Sequence, residues 1–214
     1  MKKNIIEINL ENIENINTIN FIQAEIAHCN QNKIRIEIFK DLNLDDCSGH
    51  FSDYPKPCLT VHSNDKIADW LPIFIHESCH KDQCLEQTDI WHRKIGNEYD
   101  ALEIFDMWLE YHVELDQGQL QSVLDIIVQV ELDCERRSVE KIKKYNLDIN
   151  VMEYIQKANS YIWYYHAVAH TRKYSELASP YVNPKVWSKM PLDFSKNYSK
   201  IDSKLLKLFL KNCY

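Results

Sequence analysis

Ile67-Ala68-Asp69-Trp70-Leu71-Pro72-Ile73-Phe74-Ile75-His76-Glu77-Ser78-Cys79-His80-Lys81 decides the fold. Leu71, Ile73, Phe74 and Ile75 are apolar at helical spacing, and Ser78 and Cys79 keep the following turn uncharged. The run predicts a buried helix over 67–81. Lys81 and Asp82 then bring charge, which predicts that the helix surfaces or ends there. Downstream the pattern stays helical, with no proline between Pro72 and Pro180. A helix is expected over 99–115, with Leu102, Phe105, Leu109 and Val113 as its stripe. Gly118 is read as a break before a helix over 120–145 that turns Val123, Ile127, Val130 and Cys134 inward. An aromatic-rich helix is expected over 151–174, and a short one over 205–210 after a loop punctuated by Pro180, Pro184 and Pro191. Upstream, strands are expected at 4–9 and 58–62, with a helix over 16–29 between them. Lys33-Ile34-Arg35-Ile36-Glu37-Ile38-Phe39 alternates as a strand with one buried face does. Residues 40–57 read as loop. The class is α+β: a small N-terminal sheet on a mainly helical body. Residues 1–214 form one domain, with 1–65 bearing the strands and 66–214 the helices.

Composition excludes several functions. The only glycines are Gly49, Gly96 and Gly118, too dispersed for a phosphate-cradling loop. The net charge of -7 suits neither DNA nor RNA, so no nucleic-acid partner is expected. No apolar run reaches the ~18 residues of a membrane span, and acids interrupt the N-terminal segment where an export signal needs an apolar core. A cytoplasmic protein without a membrane partner is expected, its seven cysteines reduced thiols. Oligomeric state is not legible.

The chemistry sits in His76-Glu77-Ser78-Cys79-His80, a His-Glu-x-x-His pattern. Two histidines four apart project from one helix face, one turn from each other. Both ring nitrogens then reach one zinc ion at ~2.0–2.1 Å. Glu77 stands beside the metal and serves as general base towards metal-bound water. The zinc lowers the pKa of that water and polarises a scissile carbonyl. The competing reading is a partly exposed helix whose histidines make ordinary hydrogen bonds.

A third ligand is sought on the helix bearing Val130-Glu131-Leu132-Asp133-Cys134-Glu135-Arg136-Arg137. Ile126, Ile127 and Val128 mark that helix as buried, and a buried carboxylate has to pair or bind metal. Glu131 is assigned as the ligand, and Glu135 as the residue that orients a ligand histidine. The reverse assignment is the variant, and pairing of both with Arg136, Arg137 or lysines is the alternative. Tyr161, Tyr165 and His166 are candidates for oxyanion stabilisation, against plain aromatic packing. Cys84 continues the stripe of His76 and His80, so a closed structural site with Cys84 or Cys134 is a further alternative. Trp70, Trp91 and Trp108 are placed at helical positions as core or groove walls. The Leu59–His62 strand is considered as an edge for an extended peptide.

The His-Glu-x-x-His helix followed by a helix bearing Glu131-Leu132-Asp133-Cys134-Glu135 resembles gluzincin-type zinc metallopeptidases. More narrowly, His76–His80 with Gln83, the Glu131–Arg137 segment and the Ala158–Tyr165 aromatic run resemble uncharacterised metallopeptidase-like proteins of tailed phages. The resemblance implies a zincin-like body, a zinc cofactor, hydrolysis of a peptide or protein substrate and, for a phage protein, a host-cytoplasm location. Lys81 and Glu135 depart from the family pattern. A non-catalytic interaction module, with a structural metal or none, is the alternative.

Overall fold

The computed structural model describes residues 13–40, 48–64, 66–92, 94–95, 99–175, 177 and 179–214. The strand expected at 4–9 and Gly96 lie outside them. The chain gathers into two compact units, Met1–Glu86 with Arg136–Val151 and Gln87–Glu135 with Met152–Tyr214. The class is α+β, as expected. No helix among the described residues is long and apolar enough to cross a membrane.

The first unit holds α1 (Ile16–Gln31), β1 (Arg35–Phe39), β2 (Gly49–Ser52), β3 (Cys58–His62) and α2 (Ile67–Leu85). It also takes the C-terminal part of α4 (Gln117–Lys144). The sheet order is β1-β3-β2, with β1 parallel and β2 antiparallel to β3. β3 is therefore the central strand, and Cys58, Leu59, Thr60 and Val61 are all buried. This overturns the idea of β3 as a peptide-docking edge. β2 falls inside the stretch read as loop; its four residues, Gly49-His50-Phe51-Ser52, are too few to show an alternating pattern. The alternation of β1 is not clean either. Glu37 is buried, opposite Thr60 in register, and Arg35 Nε lies 3.3 Å from its carboxylate. α1 runs along β1, while α2 packs on β2 and β3. Phe21 of α1 meets Phe74 of α2 and Tyr145 edge-on, joining the apolar faces of the helices.

α2 does not end at Lys81. It runs to Leu85, and Lys81 is 0% exposed. The reason is charge supplied from elsewhere in the unit. Lys81 Nζ donates to Glu25 Oε2 at 2.5 Å and to His28 Nδ1 at 2.8 Å, and lies 3.0 Å from Asp82 Oδ1. Lys141 Nζ reaches Glu25 Oε1 and Asp82 Oδ2, each at 2.7 Å, and donates to Ser78 Oγ at 2.8 Å. Two ammonium groups thus answer two carboxylates.

The second unit holds β4 (Lys94–Ile95), β5 (Tyr99–Asp100), α3 (Ala101–Leu109), the N-terminal part of α4, α5 (Val151–Thr171, from Met152), α6 (Pro184–Trp187) and α7 (Ser203–Asn212). β4 and β5 pair antiparallel. α3, α4, α5 and α7 share one core, including Phe105, Trp108, Ile127, Ile162, Val168 and Phe209. The face of α3 is Ala101, Ile104, Phe105, Trp108 and Leu109, and Leu102, expected inside, is 43% exposed. Trp70 and Trp108 are buried in helices, whereas Trp91 lies half-buried in a turn. Gly118 does not break the chain. Asp116 and Gln119 cap each other's backbone N–H groups at 2.9 Å, so α4 starts at Gln117 with Gly118 in its first turn.

Helices α1 to α5 end without glycine. Lys33, Gln87, Tyr111, Asn146 and Arg172 follow α1, α2, α3, α4 and α5, each with φ between 49° and 61°. Left-handed caps normally take glycine because a Cβ is strained there. Tyr111 in this conformation ends α3 well before 115, and the Arg172 guanidinium donates to the Trp108 carbonyl at 2.7 Å.

Two outcomes follow from these features. Lys33→Gly relieves an exposed left-handed cap and is expected to raise unfolding free energy by ~0.5–1 kcal/mol in urea titration. Lys81→Met leaves the buried cluster one negative charge in excess, which is expected to cost ~3–5 kcal/mol in the same titration. The cluster also sets an acid limit. Burial alone would raise the Asp82 pKa, but Lys141 and Lys81 outweigh it and hold the carboxyl below its ordinary value. The unfolded chain therefore binds more protons in acid, and wild-type stability declines as pH falls through the depressed folded pKa. Lys81→Met shrinks that decline.

Candidate metal centre

His76 and His80 project from α2 one turn apart, as their spacing requires. Their Nε2 atoms face each other at 3.0 Å, with the ring planes crossed at 85°. His80 is buried and His76 half-buried. Two ligands of a tetrahedral zinc at 2.0–2.1 Å lie roughly 3.3 Å apart. The pair is thus within a few tenths of an ångström of bidentate geometry. Gln83, one turn after His80 and fully buried, presents its Oε1 to His80 Nδ1 at 2.8 Å. The helix rotates ~100° per residue, so Ser78, Lys81 and Asp82 fall on the side away from His76, His80 and Gln83. The charge cluster therefore grips the back of the helix that presents the imidazoles.

Glu77 is buried, beside β2. A Cβ built on Gly49 would stand 2.7 Å from Ile73 Cγ2, 3.1 Å from Glu77 Cγ and 3.1 Å from the Thr60 carbonyl oxygen. Only a residue without a side chain lets the strand come this close to the helix at Glu77.

On α4, Glu131, Cys134 and Glu135 are all buried, so their face is not the solvated one of the ion-pairing alternative. Arg137 pairs with Glu86 at 2.7 Å. Glu131 Oε1 accepts from the Tyr165 hydroxyl at 3.4 Å, and the Tyr161 and Tyr165 hydroxyls are 2.8 Å apart. Burial, and then the Glu131 charge, push the Tyr165 phenol well above its ordinary pKa, so it remains a donor. The structure thus joins Tyr161, Tyr165 and Glu131 in one chain of hydrogen bonds. His166 is engaged elsewhere. Its Nε2 donates to the Tyr198 carbonyl at 2.6 Å, and burial lowers its pKa despite that bond.

Other reactive groups are accounted for by the fold. Glu25, His28 and Asp82 have metal-ligand types and lie within 4.8 Å of one another, but the Lys81 ammonium contacts all three and supplies the cation. Ser78 with Lys141 has the outline of a nucleophile and base. Burial would lower the Lys141 pKa, but Cys79, Glu25 and Asp82 raise it above its ordinary value, so the amine stays charged. The described cysteines are free thiols, and Cys84 Sγ lies 4.0 Å from Asp53 Oδ2.

Sequence reasoning missed Gln83 as a partner of His80, although its place three residues on carried the signal. Gly49 lies in the stretch that the sequence reads as loop and in the structure opens β2. The chain matches no family model, no curated protein and no solved structure.

Gly49→Ala is expected to displace β2 from α2 at Glu77 and to lower the melting temperature by several degrees, as overpacking of ~1–3 kcal/mol does. Calorimetry checks the shift.

Proposed function

We propose that the chain is a zinc-dependent metallopeptidase. His76, His80 and Glu131 hold the metal, Glu77 is the general base, and Glu135 supports a ligand. The observation that carries this reading is the convergence of the two Nε2 atoms at 3.0 Å on a helix backed by buried charge. Zinc there supplies a Lewis acid that activates water and polarises a peptide carbonyl. Glu77 takes the proton from the attacking water and passes it to the leaving amine nitrogen. Tyr165 donates to Glu131 and Tyr161 adjoins Tyr165, so both tyrosines serve the carboxylate rather than a substrate oxygen. His166, held by Tyr198, is left out of the chemistry. The substrate class is a peptide or protein.

The same 3.0 Å contact favours a second reading. It is also an N–H···N hydrogen bond between imidazoles, and a non-catalytic interaction module needs no more than that.

Metal analysis of purified wild type beside Glu77→Gln separates the two. The peptidase reading expects about one zinc per chain in both proteins. It expects hydrolysis of a mixed peptide library in wild type, reduced at least ~100-fold in Glu77→Gln. Zinc without hydrolysis supports the module with a structural metal, and no zinc in wild type overturns the peptidase.

A further inference from the structure

We infer that the chain pairs with a second copy of itself, the lysine-bearing face of α7 in one copy lying on the exposed face of α3 in the other. Residues 180–214 carry seven lysines against two aspartates, although the whole chain has a net charge of -7. All seven lysines are exposed, and no ion pair among the described residues involves them. One of the two aspartates, Asp202, is engaged in capping α7, where it accepts from the Lys204 and Leu205 N–H groups at 2.8 Å. A helix turns ~100° per residue, so Lys204, Lys207 and Lys211 share the side of α7 opposite Phe209. Phe209 is buried, and Leu205, Leu206 and Leu208 pack on the same core. The apolar side of α7 is therefore taken up within its own chain, and what the helix offers outward is charge.

The matching face belongs to α3. By the same rotation Leu102, Glu103, Asp106 and Glu110 point away from the core that Phe105 and Trp108 enter. Residues 99–116 hold six acids and no lysine or arginine. Apolar surface is exposed among these charges at Tyr99, Leu102 and Tyr174. The Tyr174 hydroxyl donates to Asp106 Oδ1 at 2.8 Å, which lays its ring across the face. Burial holds the Asp106 carboxyl above its ordinary pKa against that hydrogen bond, and the charges of Glu110 and Asp100 add to the effect. The acids crowd one another, so a cation brought to them relieves repulsion. Lysine suits both parts of the face, since its stem covers apolar surface while its ammonium group meets a carboxylate. The two faces are neighbours within the second unit. Beside Tyr174, the Lys173 carbonyl accepts from the Tyr214 hydroxyl at 3.0 Å, and the Leu177 N–H donates to the Cys213 carbonyl at 3.2 Å, both at the end of α7. A two-fold axis between the faces makes the contact twice, which closes a dimer. Nucleic acid or an anionic bilayer would answer the lysines and leave the apolar, acidic face of α3 bare.

Sedimentation velocity of the full-length chain in a dilution series tests the pairing at ~0.1 M and ~1 M salt, where charges are screened beyond ~10 Å and ~3 Å. A dimer is expected at the lower salt and a monomer at the higher. Lys204→Glu with Lys207→Glu and Lys211→Glu reverses one face, and Glu103→Lys with Glu110→Lys reverses the other. All five side chains are exposed, and circular dichroism checks that each variant keeps the wild-type helix content. Each variant alone is expected to be monomeric. Mixed in equal amounts they should regain the dimer, because every α7 then meets an α3 of opposite charge. A monomeric wild type, a dimer indifferent to salt or to either set of substitutions, or a mixture that stays monomeric overturns the pairing. Monomeric wild type that sediments with phosphatidylserine vesicles or shifts duplex DNA, and loses this on reversal of the lysines, also overturns it and gives the α7 face to lipid or nucleic acid.

Discussion

Lys81 has no contact with water, and its charge has to be met from inside the protein. Glu25 comes from α1, Asp82 from α2 itself and Lys141 from α4, so three helices of the first unit are tied at one point. Such a cluster adds little net stability, since desolvating four charged groups consumes most of what their attraction returns. Its effect is on register. Rotating or sliding α2 by one residue would bury an ammonium against apolar neighbours. The orientation of His76 and His80 is thus enforced from behind. The apolar contacts of Phe21, Phe74 and Tyr145 set how tightly the helices pack, and the charges set which residues face which way.

Glycine scarcity shapes the architecture as well as excluding functions. Helices α1 to α5 stop on residues that strain to stop them, and local contacts carry part of that cost. Arg172 shows how: it ends α5 in the left-handed conformation while its guanidinium closes the end of α3, stacks on Tyr111 and reaches Glu114. One side chain finishes two helices. Gly49 is the opposite case, where the missing side chain is what the contact needs.

Local periodicity made much of the fold legible. α1, β3 and the middles of α4 and α5 follow from apolar spacing, and β3 fell on its expected residues. The errors share a cause. Gly118 was read without the Asp116–Gln119 capping box around it, Tyr111 carries no stop signal in its own type, and β2 is too short to display a pattern. The histidine pair was legible because four-residue spacing is itself the geometry. The partner of Glu131 was visible as a tyrosine, but its hydrogen bond was not. The fate of Lys81 was not legible at all, because Glu25 lies 56 residues away and the other bond of Glu25 spans 116. A charge reads as a surface residue until its distant counter-charge is known.

That sequence distance also has a meaning in time. Ser78 and Lys141 are 63 residues apart, which at ~5–20 residues per second of synthesis is roughly 3–13 s. Until Lys141 emerges, one ammonium stands against two carboxylates, and the helix with the histidines lacks one of its anchors. A nascent chain stalled in that interval carries the complete His-Glu-x-x-His sequence with only the Lys81 half of the contacts that fix its rotation. Truncation between α2 and α4 recreates that state permanently. The smallest fragment able to hold the imidazoles in place therefore extends well past the motif, to the turn of α4 that brings Lys141.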